Sequence, residues 1–204
     1  SSTNVSQNGQ DNLHYSSQDG TGHNLTAVAT GSGNKVYASD YENTRPGGQF
    51  GIGQTAFLNQ NGQQNSINLT QKGVGNLSNL KQDGARNDAK VTQSDNYNEL
   101  YFEQNGSDNI LIADQRGEGN SATGNSFGNG NTTDITQSGS DNRSYTYQDG
   151  DANIATVKQA DSYNTAYVSQ TGNANTANVN QSATNQAASV TQVGSANMAN
   201  VRQQ

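Results

Sequence analysis

Few side chains in this sequence are equipped for acid–base, nucleophilic or metal chemistry, and those few are badly spaced for it. The only histidines, His14 and His23, lie nine residues apart in the least regular stretch. They read better as solvated or strand-end polar groups than as a metal pair. The 17 acidic residues are scattered, with no two placed as the paired carboxylates of a glycosidase. The stretch Gly47-Gly48-Gln49-Phe50-Gly51-Ile52-Gly53 imitates a phosphate loop without the strand-to-helix context, and is read as an irregular turn. There is no cysteine, so neither a thiol nucleophile nor a disulfide is available. No cofactor and no metal is expected.

What the chain does hold is carboxamide: 31 Asn and 22 Gln in 204 residues. A side-chain amide both donates and accepts, so identical amides stacked in register form hydrogen-bonded ladders. The spacing suits that chemistry. Asn recurs every eleven residues at Asn65, Asn76, Asn87, Asn98, Asn109, Asn120, Asn131, Asn142, Asn153, Asn164 and Asn175, then Gln186 and Asn197. Six residues after each comes Gln71, Gln82, Gln93, Gln104, Gln115, Ser126, Gln137, Gln148, Gln159, Gln170, Gln181, Gln192 and Gln203. Two further on stand Gly62, Gly73, Gly84, Gly106, Gly117, Gly128, Gly139, Gly150, Gly172 and Gly194, with Asp95, Asp161 and Ala183 at the exceptions. The unit is N-x-φ-x-φ-x-Q-x-G-x-x, with φ small or aliphatic, and from Asn43 onward it runs without insertion.

Inside each unit the alternation has period two, which is a strand. Asn87, Ala89, Val91 and Gln93 share one face; Asp88, Lys90 and Thr92 share the other. A seven-residue strand and a four-residue turn follow, the turn built on residues that tolerate positive φ. One such strand buries too little alone, so units must stack. Two strands per turn is the economical closure: an all-β solenoid of two facing, parallel, in-register sheets with 22 residues per turn. One sheet then contributes Ile67, Leu69, Val91, Leu111, Ile135, Val157, Val179 and Val201 to a narrow core. The other contributes Leu80, Leu100, Phe102, Val168 and Val190. About nine turns at ~4.8 Å give a rod of roughly 40–45 Å.

The composition excludes the ordinary alternatives. Leu, Ile, Val and Phe number 29, about 14% of the chain, below the ~20% at which disorder is suspected. An aliphatic globular core is therefore ruled out, and the Asn/Gln columns take its place. No apolar run approaches the ~18 residues of a membrane span. Ten basic against 17 acidic residues, a net charge of -7, disfavour nucleic-acid binding. Two oppositely charged pairs lie 22 apart, Lys81/Glu103 and Arg86/Asp108, whereas from residue 54 no like charges do. Tyr37, Tyr101, Tyr145, Tyr147 and Tyr167 fall on the outward face, read either as contact residues or as simple β-formers.

The N-terminal fifth is less regular. Ser1, Asn12, Asn24 and Asn34 each start a unit, ending at Gln7, Gln18, Thr30 and Asp40. Residues 1–42 are read as loose repeats and 43–53 as an irregular one. There Arg45-Pro46-Gly47-Gly48 predicts a bulge or a boundary, since proline cannot donate to a ladder. Residues 54–204 form the strict solenoid.

Gln159-Ala-Asp-Ser-Tyr-Asn-Thr-Ala-Tyr-Val-Ser-Gln170 and Gln170-Thr-Gly-Asn-Ala-Asn-Thr-Ala-Asn-Val-Asn-Gln181 resemble the curlin repeats of bacterial curli. The resemblance covers Asn43 to Gln203 strictly. It implies a secreted functional-amyloid subunit that polymerises on the cell surface into biofilm-matrix fibres. It also implies a nucleator, an outer-membrane secretion pore and accessory chaperones as partners, with no membrane insertion. Familiar curlins have about five double repeats against roughly nine here, and no Gly-rich secretion segment is visible. The sequence opens at Ser1 without a leader, which for a secreted protein is taken as already removed. The final unit keeps the pattern and is not unusually basic, which favours a major subunit over a nucleator. Independently of the resemblance, a solenoid without caps presents pairing edges and adds head to tail. Asp and Gly in the turns read as turn formers first and as brakes on assembly second. The rival is a monomeric adhesin; an ice-binding face fails because positions 101, 112, 123, 134 and 145 read Tyr, Ile, Thr, Asp, Tyr.

Overall fold

The computed structural model describes residues 1–38 and 47–204. Among them there is no helix; twenty parallel strands wind into two facing sheets. The first sheet stacks nine strands: Ser2–Gln10, Asn24–Ser32, Thr55–Gln63, Leu77–Ala85, Glu99–Ser107, Ser121–Asn129, Arg143–Asp149, Thr165–Thr171 and Ala187–Val193. The second alternates with it in sequence, from Leu13–Ser16 to Met198–Gln203. From Gly48 onward each paired residue meets the one 22 later, as in Ala89 with Leu111 and Val157 with Val179, whereas Asn24 pairs with Thr55, 31 residues on. The result is a β-solenoid of nine turns, about 43 Å long at ~4.8 Å per layer.

Alternation within the strands decides what lies inside. Leu25, Leu58, Leu80, Leu100 and Val168 of the first sheet meet Ile67, Leu69, Val91, Leu111, Ile135, Val157 and Val179 of the second, all nearly inaccessible. Phe102 fills the space left at Gly124 one layer on, where a Cβ would lie 2.6 Å from the ring. The core divides between Ile135 and Ala155. There Ser144 and Thr146 occupy inward positions, and their buried hydroxyls have no partner. In the last layers Val190 is 5% exposed and Val201 half-buried.

Several expectations are corrected. Many strands run nine residues, not seven, because pairing continues into the corner: Gly84 pairs with Gly106 as regularly as Leu80 with Phe102. The unit start expected at Asn24 falls at His23, and its end at Ala29, not Thr30. Asn24 is itself paired with Ser2, one place into the strand. The layer that begins at Asn34 is not closed by one continuous strand. Lys35–Ala38 and Gly48–Ile52 both pair with Ser66–Val74, so one layer is built from two segments with nine extra residues between them. Gly48–Ile52 is thus strand, not irregular turn. Asp40, Asn43, Arg45 and Pro46 lie outside the described residues. Tyr37 is on the outer face but only 8% exposed, stacked on Tyr15 with ring centroids 6.2 Å apart.

Candidate functional site: the amide ladders

The strand-end amides are buried polar groups along most of the strict repeat. All 21 Asn and Gln column positions of the strict repeat from Asn65 to Gln181 are at most 1% exposed, for example Asn65, Gln71, Asn109, Gln137 and Asn175 at 0%. Each would carry a penalty of ~1–3 kcal/mol if left unpaired. Stacking at 22 residues removes it.

The glutamine column of the second sheet runs through Gln49, Gln71, Gln93, Gln115, Gln137, Gln159, Gln181 and Gln203, each Nε2 donating to the Oε1 of the next at 2.8–2.9 Å. The first sheet repeats this from Gln60 to Gln82 and Gln104, and from Gln148 to Gln170 and Gln192. Each Nε2 also reaches a backbone carbonyl of the facing sheet, as Gln93 does to Leu77 at 2.9 Å. The ladder therefore ties layer to layer and sheet to sheet at once.

The asparagine columns run the other way. Nδ2 of Asn87, Asn109, Asn153, Asn175 and Asn197 donates back to the Oδ1 of Asn65, Asn87, Asn131, Asn153 and Asn175. In the facing column Asn98, Asn120 and Asn142 do the same to Asn76, Asn98 and Asn120. Asn164 keeps the backbone link, its N–H donating to Asn142 Oδ1 at 3.1 Å. Each Nδ2 also secures a corner: Asn87 donates to Asp83 O behind it and to Gly106 O in the next layer, at 3.2 and 3.0 Å. Gln and Asn dipoles thus point in opposite senses along the rod.

The substitutions in the columns explain themselves chemically. His23 is 2% exposed in an asparagine position; its Nδ1 accepts from the Gln54 N–H at 3.3 Å, and Nε2 lies 3.1 Å from Asp19 O. Ser126 stands in a glutamine position, and its hydroxyl donates to Gln148 Oε1 at 2.9 Å. Ala29 has nothing to donate. Gln60 Oε1 above it is buried without a partner. His14, inward-facing in the first layer, has neither ring nitrogen bonded, and burial pushes its pKa down.

The corners require glycine for a geometric reason. At Gly84, φ is +114° and a Cβ would stand 2.0 Å from the carbonyl oxygen of Gly106 in the next layer. Gly62, Gly73, Gly106, Gly117, Gly139, Gly150 and Gly172 share the restriction, whereas Gly194, in the last turn, has only Asn197 nearby. Asp95 and Asp161 escape it by taking φ of 72° and 64°. A second left-handed residue precedes most Asn positions and is not glycine-specific: Arg86, Tyr97, Ala152, Tyr163, Ala174 and Ala196 all occupy it. Its varied identity hides it in the sequence, where only the fixed place before Asn marks it.

Charge is sorted by position. The corners, taken as the four residues between each glutamine position and the next asparagine position, hold Asp11, Asp19, Asp83, Asp95, Asp108, Glu118, Asp141, Asp149, Asp151 and Asp161 against Lys72, Arg86 and Arg116. The outer face of the first sheet carries only Lys81, Glu99, Glu103 and Arg143; that of the second carries Lys35, Asp88, Lys90, Asp114, Asp134, Lys158 and Arg202. Lys81 contacts Asp83 and Glu103, at 2.7 and 2.8 Å, and these hydrogen bonds raise its pKa. Arg86 binds Asp108 at 2.6 Å, and that hydrogen bond holds the carboxylate below its usual range. Among the described residues no group of three or more His, Cys, Asp or Glu is arranged to hold a metal.

A parallel β-solenoid whose interior is laced by two kinds of amide ladder has the fold of a structural scaffold. The chain belongs to the curlin associated repeat family, whose model matches residues 62–94, 106–139, 128–160 and 172–204. No curated protein matches it.

Proposed function

We propose that this chain is the structural subunit of an extracellular, curli-type fibre that grows by stacking one copy on the next. The observation that carries the reading is that from Gln49 to Gln203 each glutamine of the second-sheet column bonds to the equivalent residue one layer away. Gln181 Nε2, for example, donates to Gln203 Oε1 at 2.8 Å. Nothing in that chemistry distinguishes a layer of the same chain from a layer of a second copy. In the last layer, Met198–Gln203 offers its strand edge together with the Gln203 amide and the Asn197 oxygen. In the first layer, the Gln18 Oε1 awaits a donor while its Nε2 is already given to Gln49. Donor meets acceptor when the C-terminal face of one copy meets the N-terminal face of another, and such addition does not close into a ring.

Membership of the family supports a cell-surface location, a biofilm and adhesive role, and dependence on a nucleator, a secretion pore and accessory chaperones. The amide columns are then the elongation template. The test is incubation of purified protein in denaturant-free buffer, followed by thioflavin T fluorescence and electron microscopy. Fibrils with parallel cross-β spacing are expected; a persistently monomeric, thioflavin-negative solenoid would point to a soluble adhesin instead. Gln137→Leu with Gln159→Leu should slow elongation, because two successive donors and two acceptors leave one column.

A further inference from the structure

The two outer faces of the solenoid differ in a way that stacking along the rod leaves unused. The central outward row of the first sheet reads Phe57, Asn79, Tyr101, Thr123, Tyr145 and Tyr167, with no charge. Its four aromatic rings are 38–45% exposed. The matching row of the second sheet includes Lys90 and Asp134 on either side of Ile112. Pairing through the second face would strip water from seven charged side chains, two of them in its central row, whereas the first face carries four, all beside the row and two of them, Lys81 and Glu103, already paired at 2.8 Å. Between Tyr101 and Tyr145 the first face is also notched, by a depression of about 270 Å³ over Thr123 and Gly124 and an adjoining one of about 160 Å³.

We propose that the outer face of the first sheet is a self-association surface: two solenoids pair face to face through the tyrosine row, the partner being a second copy of this chain. Where the chain forms filaments, which rests on the function proposed above, this contact joins two protofilaments. The face is about 43 Å long and about 20 Å wide, given ~4.8 Å per layer and ~3.3 Å per residue. It buries about 1,700 Å² in total, close to the ~1,600 Å² of a stable interface. Charge favours this geometry over its alternative. The corners carry a strong negative excess. Edge-to-edge packing brings them into contact. Face-to-face packing, with sheets ~10 Å apart, leaves them about 20 Å from each other, beyond two Debye lengths at physiological salt. The pairing is isologous, and aromatic rings of one copy enter the notch of the other.

The reading is settled by mass per length in scanning transmission electron microscopy. One 21.5 kDa chain per about 43 Å gives about 5 kDa per nm for a single solenoid and about 10 for a pair. Wild-type filaments should show about 10. Tyr101→Lys with Tyr145→Lys should show about 5 with thioflavin-monitored elongation intact, since both side chains point away from the ladders. Thr156→Lys with Asn178→Lys, the same charges on the second face, should stay at about 10. Wild type at about 5, an unchanged tyrosine variant, or separation by the second-face variant instead would overturn the proposal. If the chain forms no filaments, which counts against the proposed function alone, sedimentation should still find a dimer that the tyrosine variant returns to monomer; a wild-type monomer refutes the pairing.

Discussion

Ala29→Gln should repair a break in the first-sheet ladder and stabilise the second and third layers. Ala29 is 4% exposed, and the residue stacked on it, Gln60, gives its Nε2 to Gln82 at 3.0 Å and to Lys35 O at 3.1 Å while its Oε1 has no partner. An orphaned buried acceptor costs ~1–3 kcal/mol. A glutamine at 29 places a donor where Gln60 supplies one for Gln82, and its own Oε1 faces Gln7 below. Against this stands the loss of side-chain freedom, up to ~1.5–2 kcal/mol for glutamine. The surplus is about 1 kcal/mol. End layers of a repeat array open locally, so a global melt underreports such a change. Amide hydrogen exchange resolves it: opening of Asn24–Ser32 and Thr55–Gln63 should slow about fivefold, the factor for 1 kcal/mol. Gln137→Ala makes the reverse change, orphaning Gln159 Oε1 and removing the donation to Ser121 O. Its neighbouring layers should exchange faster by at least as much. Unchanged or faster exchange in Ala29→Gln would show that the unpaired Gln60 oxygen carries no penalty and that the ladder is not what holds these layers.

Gly84→Ala should destabilise by more than ~1 kcal/mol, because its Cβ meets backbone oxygen at a left-handed φ; a guanidinium midpoint equal to wild type would refute the steric account. Thr146→Val removes a buried hydroxyl with no partner and should stabilise by ~1 kcal/mol, read as a midpoint shift in the same titration; a drop in midpoint would mean the hydroxyl is satisfied. Acidification should loosen the first turn. Burial depresses the His14 pKa, so the unfolded turn binds the proton more tightly than the folded one, and stability falls as pH drops through the ordinary histidine range. Hydrogen exchange at Leu13–Ser16 should therefore rise below that range in wild type and not in His14→Leu; equal pH dependence in both would assign the effect elsewhere.

Where register and composition suffice, the sequence is legible to the level of single side chains. Period eleven with alternation of two puts Val91 and Gln93 inside and Lys90 and Thr92 outside. The 22-residue stacking follows because a lone strand of this composition buries almost nothing. Legibility fails where the frame breaks. His23 stands one residue before the Asn24 that the pattern selects, and it fits because an imidazole presents an acceptor and a second ring nitrogen at the positions of an amide. The segments at Lys35–Ala38 and Gly48–Ile52 look like parts of two repeats, and only their common pairing with Ser66–Val74 shows them to be one layer.

The amino-acid spacing by itself determined the strands, their inward faces, the corners and the interval at which amides recur, since each depends on residue type and local periodicity. Tertiary structure decided the sense in which each ladder donates, the break above Ala29, the orphaned His14 and the aromatic row set between acidic edges. Those depend on which atoms stand one layer apart, a distance of ~4.8 Å that the chain reaches only after 22 residues of winding.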